Sequence, residues 1–387
     1  MNHPDRNHGF GPVMCVVGAR PNFMKIAPIL RAFAAHQPPI PALLVHTGQH
    51  YDASMSDKLF EDLRLPRPDL NLEVGSGTHA VQTAEVMKRF EPAVDEYKPS
   101  CVLVVGDVNS TLACSLVAVK KGVPVVHVEA GLRSGDRRMP EEINRVLTDQ
   151  ISDRVYTTER SALDNLLREG IAADRVCFTG NVMIDSLHAS RPQARSAADT
   201  LRAHGHDPAL LQGPAGYGVV TLHRPSNVDH ADTLRHLLET LRTVSQQLPL
   251  VFALHPRTRA NIDRFGLAGL IDPARMLLLP PQGYLEMLGL MAGATLVLTD
   301  SGGLQEETTA LGVPCLTMRE NTERPITVEQ GTNTMVGRDR AAILAGVDDI
   351  LAGRGKRGRV PEYWDGHAAE RIADDLWRWL NTLPATS

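Results

Sequence analysis

The stretch CVLVVGDVNSTLACSLVAVKKGVPVVHVEAGLRS, from Cys101 to Ser134, decides the fold class of this chain. Its two apolar runs, Val102–Val105 and Val123–Val126, have the continuous hydrophobicity of strands buried on both faces of a parallel sheet. A short amphipathic segment separates them. Strand, helix and strand in this order predict an α/β domain with right-handed crossovers.

Carboxylates follow both of these strands. The first strand leads into Asp107, and the second ends at Glu129. In open α/β sheets, ligands bind at the edge formed by the carboxyl ends of the strands. Glu141 and Glu142 come next along the chain, with Arg145 one helical turn further on. We therefore expect a site that handles protons beside an anionic ligand.

Length and charge limit the class of protein. A chain of 387 residues favours two domains, since single cores stop growing at roughly 250–300 residues. The net charge of -5 argues against a dedicated nucleic-acid binder. The strongly basic run RGKRGR at 354–359 lacks interleaved aromatic residues, and we interpret it as a solvated loop.

Cysteine usage and hydropathy indicate where the protein works. The five cysteines form no CxxC pair, which argues against a disulfide framework and against a metal site. No apolar run approaches the roughly 18 residues of a membrane span, so we expect no membrane partner. The polar segment 1–12 is unlike a signal peptide, and we interpret it as a flexible leader. The expected location is cytoplasmic.

The alternation of strands and helices continues through the whole chain. We predict two Rossmann-like domains with a central cleft, the first at 13–187 with the carboxylates and the second at 217–365. Residues 188–216 are rich in Ala, Arg, Pro and Gly, and we interpret them as the junction. The segment 366–387 holds a helix, Ala368–Leu380, that we expect to pack back on the first domain.

The second half carries a phosphate-binding pattern. A strand ending at Thr299 leads into Asp300-Ser301-Gly302-Gly303 and a predicted helix Leu304–Leu311. Glycines let the backbone approach an anion, and a helix N-terminus offers free N–H groups. The alternative interpretation is a plain helix cap, with Glu306 and Glu307 in the first turns because the helix dipole favours acids there.

Further strand ends carry basic residues and histidines. Arg20 and Lys25 follow the first strand, and together they favour an anion site. His223 and His255 each follow a strand of the second half, which favours ligand contact for at least one of them. The literal GxGxxG, at Gly353, lies in the basic loop after a helix, so it predicts no dinucleotide site, and we expect no cofactor.

Taken together, the motifs resemble a known family. The chain carries, in this order, GARPNFMK, HTGQH, GDVNST, HVEAGLRS, MPEEINR, LHRP, HPRT, DSGGLQEE and TERPITV. This combination resembles the non-hydrolysing UDP-N-acetylglucosamine 2-epimerases, from about Val13 to about Gly337. The resemblance implies a glycosyltransferase-B-like fold and a homodimer. It also implies interconversion of UDP-N-acetylglucosamine and UDP-N-acetylmannosamine for bacterial surface polysaccharides.

The resemblance also implies a mechanism. The C2 hydrogen of the sugar is not next to a carbonyl, so direct deprotonation is unfavourable. In the family, UDP leaves C1, the C2 proton becomes removable, and a glycal takes UDP back after reprotonation on the opposite face. Such a reaction requires cations and dipoles on the diphosphate and carboxylates around the sugar ring.

Residue roles follow from the same resemblance. It implies as catalytic residues Asp107, Glu129, Glu141, His223 and Lys25. It implies as residues that bind the UDP-sugar Arg20, Arg145, Gln282, Met287, Ser301, Gly302, Gly303, Glu307 and Arg324. Among these, the Ser301–Gly303 turn corresponds to the diphosphate cradle and Glu307 to the acceptor for the ribose hydroxyls.

Several positions and segments depart from the family pattern. Met287 stands where many members carry a Phe beside uracil, and its thioether can still pack on the base. Asp52 stands where allosterically regulated members have a glutamine after Gln49, so we do not expect activation by substrate. The loop between Ser134 and Pro140 is shorter than in some bacterial members, which would reshape the sugar pocket.

Four other functions remain open at this point. The nearest is a sibling epimerase that acts on UDP-2,3-diacetamido-2,3-dideoxyglucuronate, followed by a hydrolysing variant. A UDP-sugar glycosyltransferase would share the fold but would not need three clustered carboxylates. A nucleotide-sugar sensor would bind UDP without turnover.

Overall fold

The computed structural model describes residues 10–48 and 53–383, and only the backbone of Arg20 and of residues 53–57. Most of the predicted leader, and the positions Gln49 and Asp52, lie outside the described residues. The described chain forms two compact units. Unit 1 comprises the residues up to Ala189 and those from Glu362 on, and unit 2 comprises Ser190–Pro361.

Unit 1 is built on a seven-stranded, all-parallel sheet with the order β3-β2-β1-β4-β5-β6-β7. Its strands are β1 (Val13–Val17), β2 (Ala42–His46), β3 (Leu70–Asn71), β4 (Cys101–Val105), β5 (Val125–Ala130), β6 (Arg154–Thr157) and β7 (Val176–Phe178). Its first helices are α1 (Arg20–Ala35), α2 (Ala53–Asp62), α3 (His79–Tyr97), α4 (Asn109–Lys120), α5 (Pro140–Ile151), α6 (Arg160–Arg168) and α7 (Val182–Ser190).

The central strands of this sheet are buried along their whole length. Every residue of β1, β4 and β5 is buried, as their continuous apolar sequences predict. Strand β5, however, starts at Val125, two residues after the start of the apolar run Val123–Val126 that predicts it. Pro124 has no N–H to donate to a ladder, and its carbonyl accepts a bond from the N–H of Val102 at 2.9 Å.

Unit 2 repeats the plan with six parallel strands in the order β10-β9-β8-β11-β12-β13. The strands are β8 (Gly218–Thr221), β9 (Leu250–Ala253), β10 (Met276–Leu279), β11 (Leu296–Thr299), β12 (Cys315–Thr317) and β13 (Asn333–Met335). The helices are α8 (Ala197–Ala203), α9 (Pro225–Val228), α10 (Ala231–Ser245), α11 (Pro256–Arg264), α12 (Tyr284–Ala292), α13 (Gly302–Leu311), α14 (Pro325–Glu329) and α15 (Arg340–Leu351). In each sheet the strand order reverses between the first and fourth strands, the place where Rossmann folds bind ligands.

The segment 188–216, which composition predicts to be a junction, contains folded structure of unit 2. Helix α8 lies within it and packs on α12. Its Leu201 is fully buried in a core cluster with Leu290. Burial of this apolar side chain holds the segment against the rest of the unit.

The basic run at 354–359 is not a fully solvated loop. Lys356 is half-buried, and its ammonium donates to the carbonyls of Val328 and Asn333. The backbone N–H of Arg359 donates to Gln330 at 2.6 Å. These bonds attach the run to the end of α14, where unsatisfied carbonyls attract a cation.

The chain ends in unit 1 with α16 (Ala368–Leu380), which packs on α1. The carboxylate of Asp185 accepts hydrogen bonds from the backbone N–H groups of Ala368 and Ala369, at 3.2 and 2.7 Å. It therefore caps the start of the helix. Throughout the described ranges, no helix has the length and apolar character that a bilayer crossing requires.

Candidate active site

In unit 1 the predicted site residues gather where the strand order reverses. Lys25 of α1 follows β1, and Glu129 lies near the end of β5. The Lys25 ammonium is 2.6 Å from a carboxylate oxygen of Glu129, and both side chains are buried. A buried pair of this kind keeps both charged groups in a fixed geometry.

The backbone at this point is locally strained. The register of β5 against β6 shifts between Val128 and Ala130, and Glu129 has a φ of 70°. A bulge with a left-handed non-glycine residue re-aims a side chain at the end of a strand, and such strain collects at functional sites. Gly106, after β4, also has a positive φ of 69°, and a Cβ there would lie 2.9 Å from the Lys25 ammonium.

Asn22 ties the start of α1 to the end of β4. Its carboxamide oxygen accepts from the N–H of Ala19 at 3.0 Å, and its nitrogen donates to the carbonyl of Val105 at 2.8 Å. The residue lies in the GARPNFMK motif, but its role depends on β1 and β4 being neighbours. For Arg20, only the backbone, at the start of α1, is described.

Arg145 connects the carboxylates of Asp107 and Glu142. Its guanidinium bonds to Asp107 and lies 2.5 Å from Glu142, and Arg145 and Glu142 are buried. Glu142 also accepts from the N–H groups of Ser134 and Gly135, at 3.0 and 2.9 Å. Glu142 thus fastens the loop before α5, which the sequence alone did not reveal.

Glu141 lies next to Glu142 in the first turn of α5 but has a different environment. Successive residues of a helix point about 100° apart. Glu142 therefore points into unit 1 toward Arg145, while Glu141 is half-buried. Of the three predicted catalytic carboxylates, Asp107 and Glu129 are held by cations, and only Glu129 is buried.

In unit 2 the predicted phosphate turn lies at the corresponding reversal of strand order, after β11. Helix α13 begins at Gly302, two residues before the predicted start, so both glycines belong to its first turn. Ser301 is the N-cap residue, and its side chain makes no capping bond. The first-turn N–H groups are therefore not satisfied by a cap, as an anion site requires.

A cluster of buried charges lies beside this helix start. A Cβ at Gly302 would be 2.5 Å from a carboxylate oxygen of Glu323. Glu323 is paired with Arg319 at 2.7 Å, and Arg224 is 3.6 Å away. Burial would raise the pKa of Glu323, but Arg319 and Arg324 outweigh it and hold that pKa well below its ordinary value.

Glu306 and Glu307 are not surface acids that merely favour the helix dipole. Both are buried, and Glu306 is paired with Arg324 at 3.0 Å. Burial, together with the carboxylate of Glu307, raises the pKa of Tyr284 well above its ordinary value. The interpretation of a plain helix cap does not explain buried acids, since such acids are normally exposed.

Asp300 orients His223, and sequence reasoning missed it. His223 follows β8 and Asp300 follows β11, which are neighbouring strands. The His223 Nδ1 is 2.8 Å from Asp300, and the N–H groups of His223 and Arg224 also donate to this carboxylate. With Nδ1 held by a carboxylate, Nε2 of His223 is the nitrogen free to meet a ligand. The signal was present in the sequence, because Asp300 follows the end of β11 as Asp107 follows the end of β4.

Gln282 and Met287, which the resemblance implies near the uracil base, lie just before α12 and on it. Gln282 is buried, and its amide nitrogen donates to the carbonyl of Pro280 at 2.7 Å and lies 3.2 Å from the His204 ring. Met287, on α12, is partly buried against the core.

His255 caps α11 and its ring centroid is 5.7 Å from that of His223. Within the part of the chain that the structure describes, no cluster of His, Cys, Asp or Glu is arranged to hold a metal ion.

Comparison with known proteins decides the family. Residues 34–376 match the family model described as UDP-N-acetylglucosamine 2-epimerase. The chain belongs to the UDP-N-acetylglucosamine 2-epimerase family. The resemblance noted in the sequence motifs is thereby confirmed, and membership makes the chain an enzyme of the isomerase class.

Individual members of the family are similar over nearly the whole chain. The UDP-N-acetylglucosamine 2-epimerase of Methanocaldococcus jannaschii is 40% identical, with 92% of this chain and 96% of that protein covered. The UDP-2,3-diacetamido-2,3-dideoxy-D-glucuronate 2-epimerase of Pseudomonas aeruginosa is also 40% identical, with coverages of 94% and 99%.

Solved structures of this epimerase family share the fold. A crystal structure of the Methanocaldococcus jannaschii enzyme in complex with UDP-GlcNAc and UDP has a TM-score of 0.82 at 38% identity, covering 95% of this chain and 99% of that one. The predicted α/β fold of two Rossmann-like domains, of the glycosyltransferase-B-like kind, is confirmed.

Proposed function

We propose that this epimerase interconverts UDP-N-acetylglucosamine and UDP-N-acetylmannosamine by elimination and re-addition of UDP through a glycal, as a step toward surface polysaccharide precursors. The observation that carries the proposal is the pairing of each of two carboxylates at the ends of neighbouring strands with a buried cation, the buried Glu129 with Lys25 and the partly exposed Asp107 with Arg145. The substrates named for similar members support the choice of sugar.

Unit 2 holds the nucleotide in this proposal. The start of α13, at Ser301, Gly302 and Gly303, binds the diphosphate through backbone N–H groups. Arg324 adds positive charge, and Glu307 accepts from the ribose hydroxyls. His223, oriented by Asp300, donates through Nε2 to the departing diphosphate and so lowers the barrier to breaking the C1–O bond.

Unit 1 transfers the protons. As the C1–O bond breaks, UDP keeps the bonding electrons, and a carboxylate among Asp107, Glu129 and Glu141 takes the C2 proton. The C2–H electrons then form the C1=C2 bond of the glycal. Protonation of C2 from the opposite face and return of UDP to C1 give the epimer, and no redox cofactor takes part.

Exchange of the C2 proton tests the reaction directly. The protein is incubated with UDP-N-acetylglucosamine in deuterated water and the sugar is followed by NMR. Deuterium at C2, with approach to a gluco/manno equilibrium, is the expected result. Free sugar and UDP as main products would mean hydrolysis, and absence of exchange with this and related UDP-sugars would refute epimerisation.

Substitution of Asp107 tests the assignment of the carboxylates. Asp107→Asn keeps the shape of the side chain but removes its charge, so we expect C2 exchange to fall by roughly 100-fold or more. UDP affinity, measured by calorimetry, should stay within about twofold. Asp95→Asn, whose exposed carboxylate pairs with Lys121 at the surface, is the matched control and should exchange normally. Loss of UDP binding in Asp107→Asn would mean that Asp107 is structural.

A second substrate has a specific observation behind it. The Pseudomonas aeruginosa epimerase for UDP-2,3-diacetamido-2,3-dideoxy-D-glucuronate is as similar in sequence as the Methanocaldococcus jannaschii enzyme. The same NMR assay with that uronate decides between the substrates. Exchange with the uronate alone would move the assignment to it.

We also propose a cytoplasmic homodimer. All five cysteines are unpaired, as is usual in a reducing compartment. Helices α3, α4 and α5 pack side by side, and they expose the apolar side chains of Val81, Ile143 and Leu147 at 56%, 42% and 45%. A second copy of the chain is the partner that we propose for this surface.

A further inference from the structure

A fully buried histidine on β5 contacts the end of the neighbouring strand β4, and the predicted catalytic carboxylates Asp107 and Glu129 lie at the ends of these two strands. His127, in the middle of β5, has no exposed surface. Its Nε2 is 2.7 Å from the carbonyl oxygen of Gly106, at the end of β4. Its Nδ1 is 2.7 Å from a carboxylate oxygen of Asp149, on α5. None of the roles assigned above uses this residue.

The partners of the ring determine its protonation. A carbonyl oxygen and a carboxylate oxygen are both acceptors, so each ring nitrogen must donate. A neutral imidazole has only one N–H, and the two bonds therefore require the imidazolium form. The cationic ring is compensated inside the sheet by the carboxylate of Asp149.

Asp149 is held in its ionised form by further donors. Its second oxygen accepts from the N–H of Gly131 at 3.0 Å and from the Arg133 guanidinium at 2.7 Å. Burial would raise the pKa of Asp149, but the charges of His127 and Arg133 outweigh it and lower that pKa. The Arg133 guanidinium also pairs with the carboxylate of Glu169, at 2.6 Å.

This network holds the backbone on either side of the site. His127 binds the carbonyl of Gly106, directly before Asp107, and Asp149 binds the N–H of Gly131, two residues after Glu129. Gly106, Glu129 and Gly131 all have positive φ angles, of 69°, 70° and 78°. Glycine adopts such angles readily, whereas for Glu129 the conformation is unfavourable and persists only where surrounding bonds fix it.

We propose that His127 is a positioning residue, present as an imidazolium, that fixes the ends of β4 and β5 and thereby the directions of Asp107 and Glu129. Its effect on turnover rests on the proposed function, whereas its protonation state does not. The charged groups that face this network are Asp149 and Arg133 directly, Glu169 beyond them, and the pairs Lys25–Glu129 and Asp107–Arg145 at the two strand ends.

The first experiment measures the ring itself. The protein is labelled with ¹⁵N-histidine, and the His127 signal is assigned by its loss in His127→Gln. We expect the ¹⁵N shifts and one-bond couplings of a ring protonated at both nitrogens. The pattern of a neutral tautomer would overturn the proposal, with or without any enzymatic activity.

The second experiment removes the counter-ion. Asp149→Asn deletes the charge that compensates the imidazolium, so the His127 ring should be neutral in this variant. Persistence of the imidazolium in this variant would contradict the network. Wild-type and variant spectra are compared at equal folded fraction, measured by circular dichroism, so that unfolding is not mistaken for deprotonation.

The third experiment separates positioning from binding. In His127→Gln we expect kcat for C2 exchange to fall by roughly 100-fold, because small displacements of reacting groups are costly, while KM and UDP affinity change less than about threefold. His236→Gln is the matched control, since His236 is exposed and meets a single carbonyl, that of Arg338. Equal kcat in wild type and His127→Gln would refute positioning, whereas wild-type protein without exchange would refute the proposed function alone.

Discussion

At the scale of single residues, the site is defined by carboxylates whose charge is matched inside the protein. Glu129 faces Lys25, Asp107 faces Arg145, and Asp300 faces His223. Removal of one partner of a buried ion pair is strongly destabilising, because the desolvation of the remaining charge is then no longer offset. Substitutions at these residues should therefore affect folding and activity together, to an extent set by burial.

Replacement of Lys25 tests this argument. Lys25→Met removes the cation that faces Glu129 and should lower the free energy of unfolding by about 3–5 kcal/mol, with loss of C2 exchange. Urea unfolding followed by circular dichroism measures the loss. Lys121→Met is the control, since Lys121 pairs with Asp95 at the surface, and its unfolding midpoint should hardly move. Equal midpoints for the two variants would show that the buried pair does not stabilise unit 1.

The pH dependence of unit 2 should report on Asp300. Burial would raise the pKa of Asp300, but the His223 side chain and the backbone N–H groups lower it from the ordinary 3.8. A lowered pKa contributes stability that is fully present above about pH 4 and is lost as the pH falls through the folded value.

The matching variant is Asp300→Asn. Its free energy of unfolding at pH 7 should be lower than that of the wild type, and the difference should shrink on acidification below pH 4. Chemical unfolding at a series of pH values, monitored in unit 2, measures both curves. A difference that is independent of pH would mean that the charge of Asp300 is not what the folded state uses.

At the scale of elements, the start of a helix depends on which group accepts hydrogen bonds from its first N–H groups. Thr78 caps α3 by accepting from the N–H of Val81 at 3.3 Å, a local bond of the kind that a threonine before a helix indicates. The start of α16 is capped instead by Asp185, far away along the chain. Burial raises the pKa of Asp185 from 3.8 to about 6, against the effect of the two N–H donors.

This shift has a definite sign for stability. Between about pH 4 and pH 6 the folded state binds more protons at Asp185 than the unfolded state does, so stability falls as pH rises. A change from 3.8 to about 6 corresponds to about 3 kcal/mol at 1.36 kcal/mol per pH unit. Asp185→Asn should abolish this part of the pH dependence in urea unfolding. Asp164→Asn, an exposed carboxylate on α6, is the control, and identical slopes for the two variants would contradict the argument.

At the scale of the whole molecule, the two units have the same arrangement of strands. In both units the predicted site residues lie where the strand order reverses. In unit 1 the reversal of strand order lies between β1 and β4, beside Lys25 and Asp107. In unit 2 it lies between β8 and β11, beside His223 and Ser301. Helices leave such a point in opposite directions, so it is open to ligands in both sheets.

The proposed homodimer gives a prediction at this scale. Ile143→Asp with Leu147→Asp places two charges on the exposed apolar surface of α5 and should convert a dimer into a monomer. Light scattering coupled to size exclusion measures the mass. Val360→Asp, on an exposed apolar residue of unit 2, is the control and should leave the mass unchanged. A wild-type protein that is monomeric at micromolar concentration would refute the proposed dimer.

The sequence by itself determined the fold class and the edge of each sheet at which the predicted site residues lie. Continuous apolar runs separated by helical segments require a parallel sheet, and polar residues directly after those runs must lie at its carboxyl edge. The bounds of α3 were also predictable from its local cap, and those of α16 from the periodicity of its apolar residues, since both signals act locally.

Only the tertiary structure decided which charged residues act on one another. Helix phase turns Glu142 toward Arg145 and leaves its neighbour Glu141 more open, and strand adjacency brings Asp300 to His223 and His127 to Gly106. These partners are separated by tens of residues in sequence, apart from the pair within α5. Their pairing follows from strand order and burial, which no local pattern specifies, since a buried charge takes its partner from whichever element the fold places beside it.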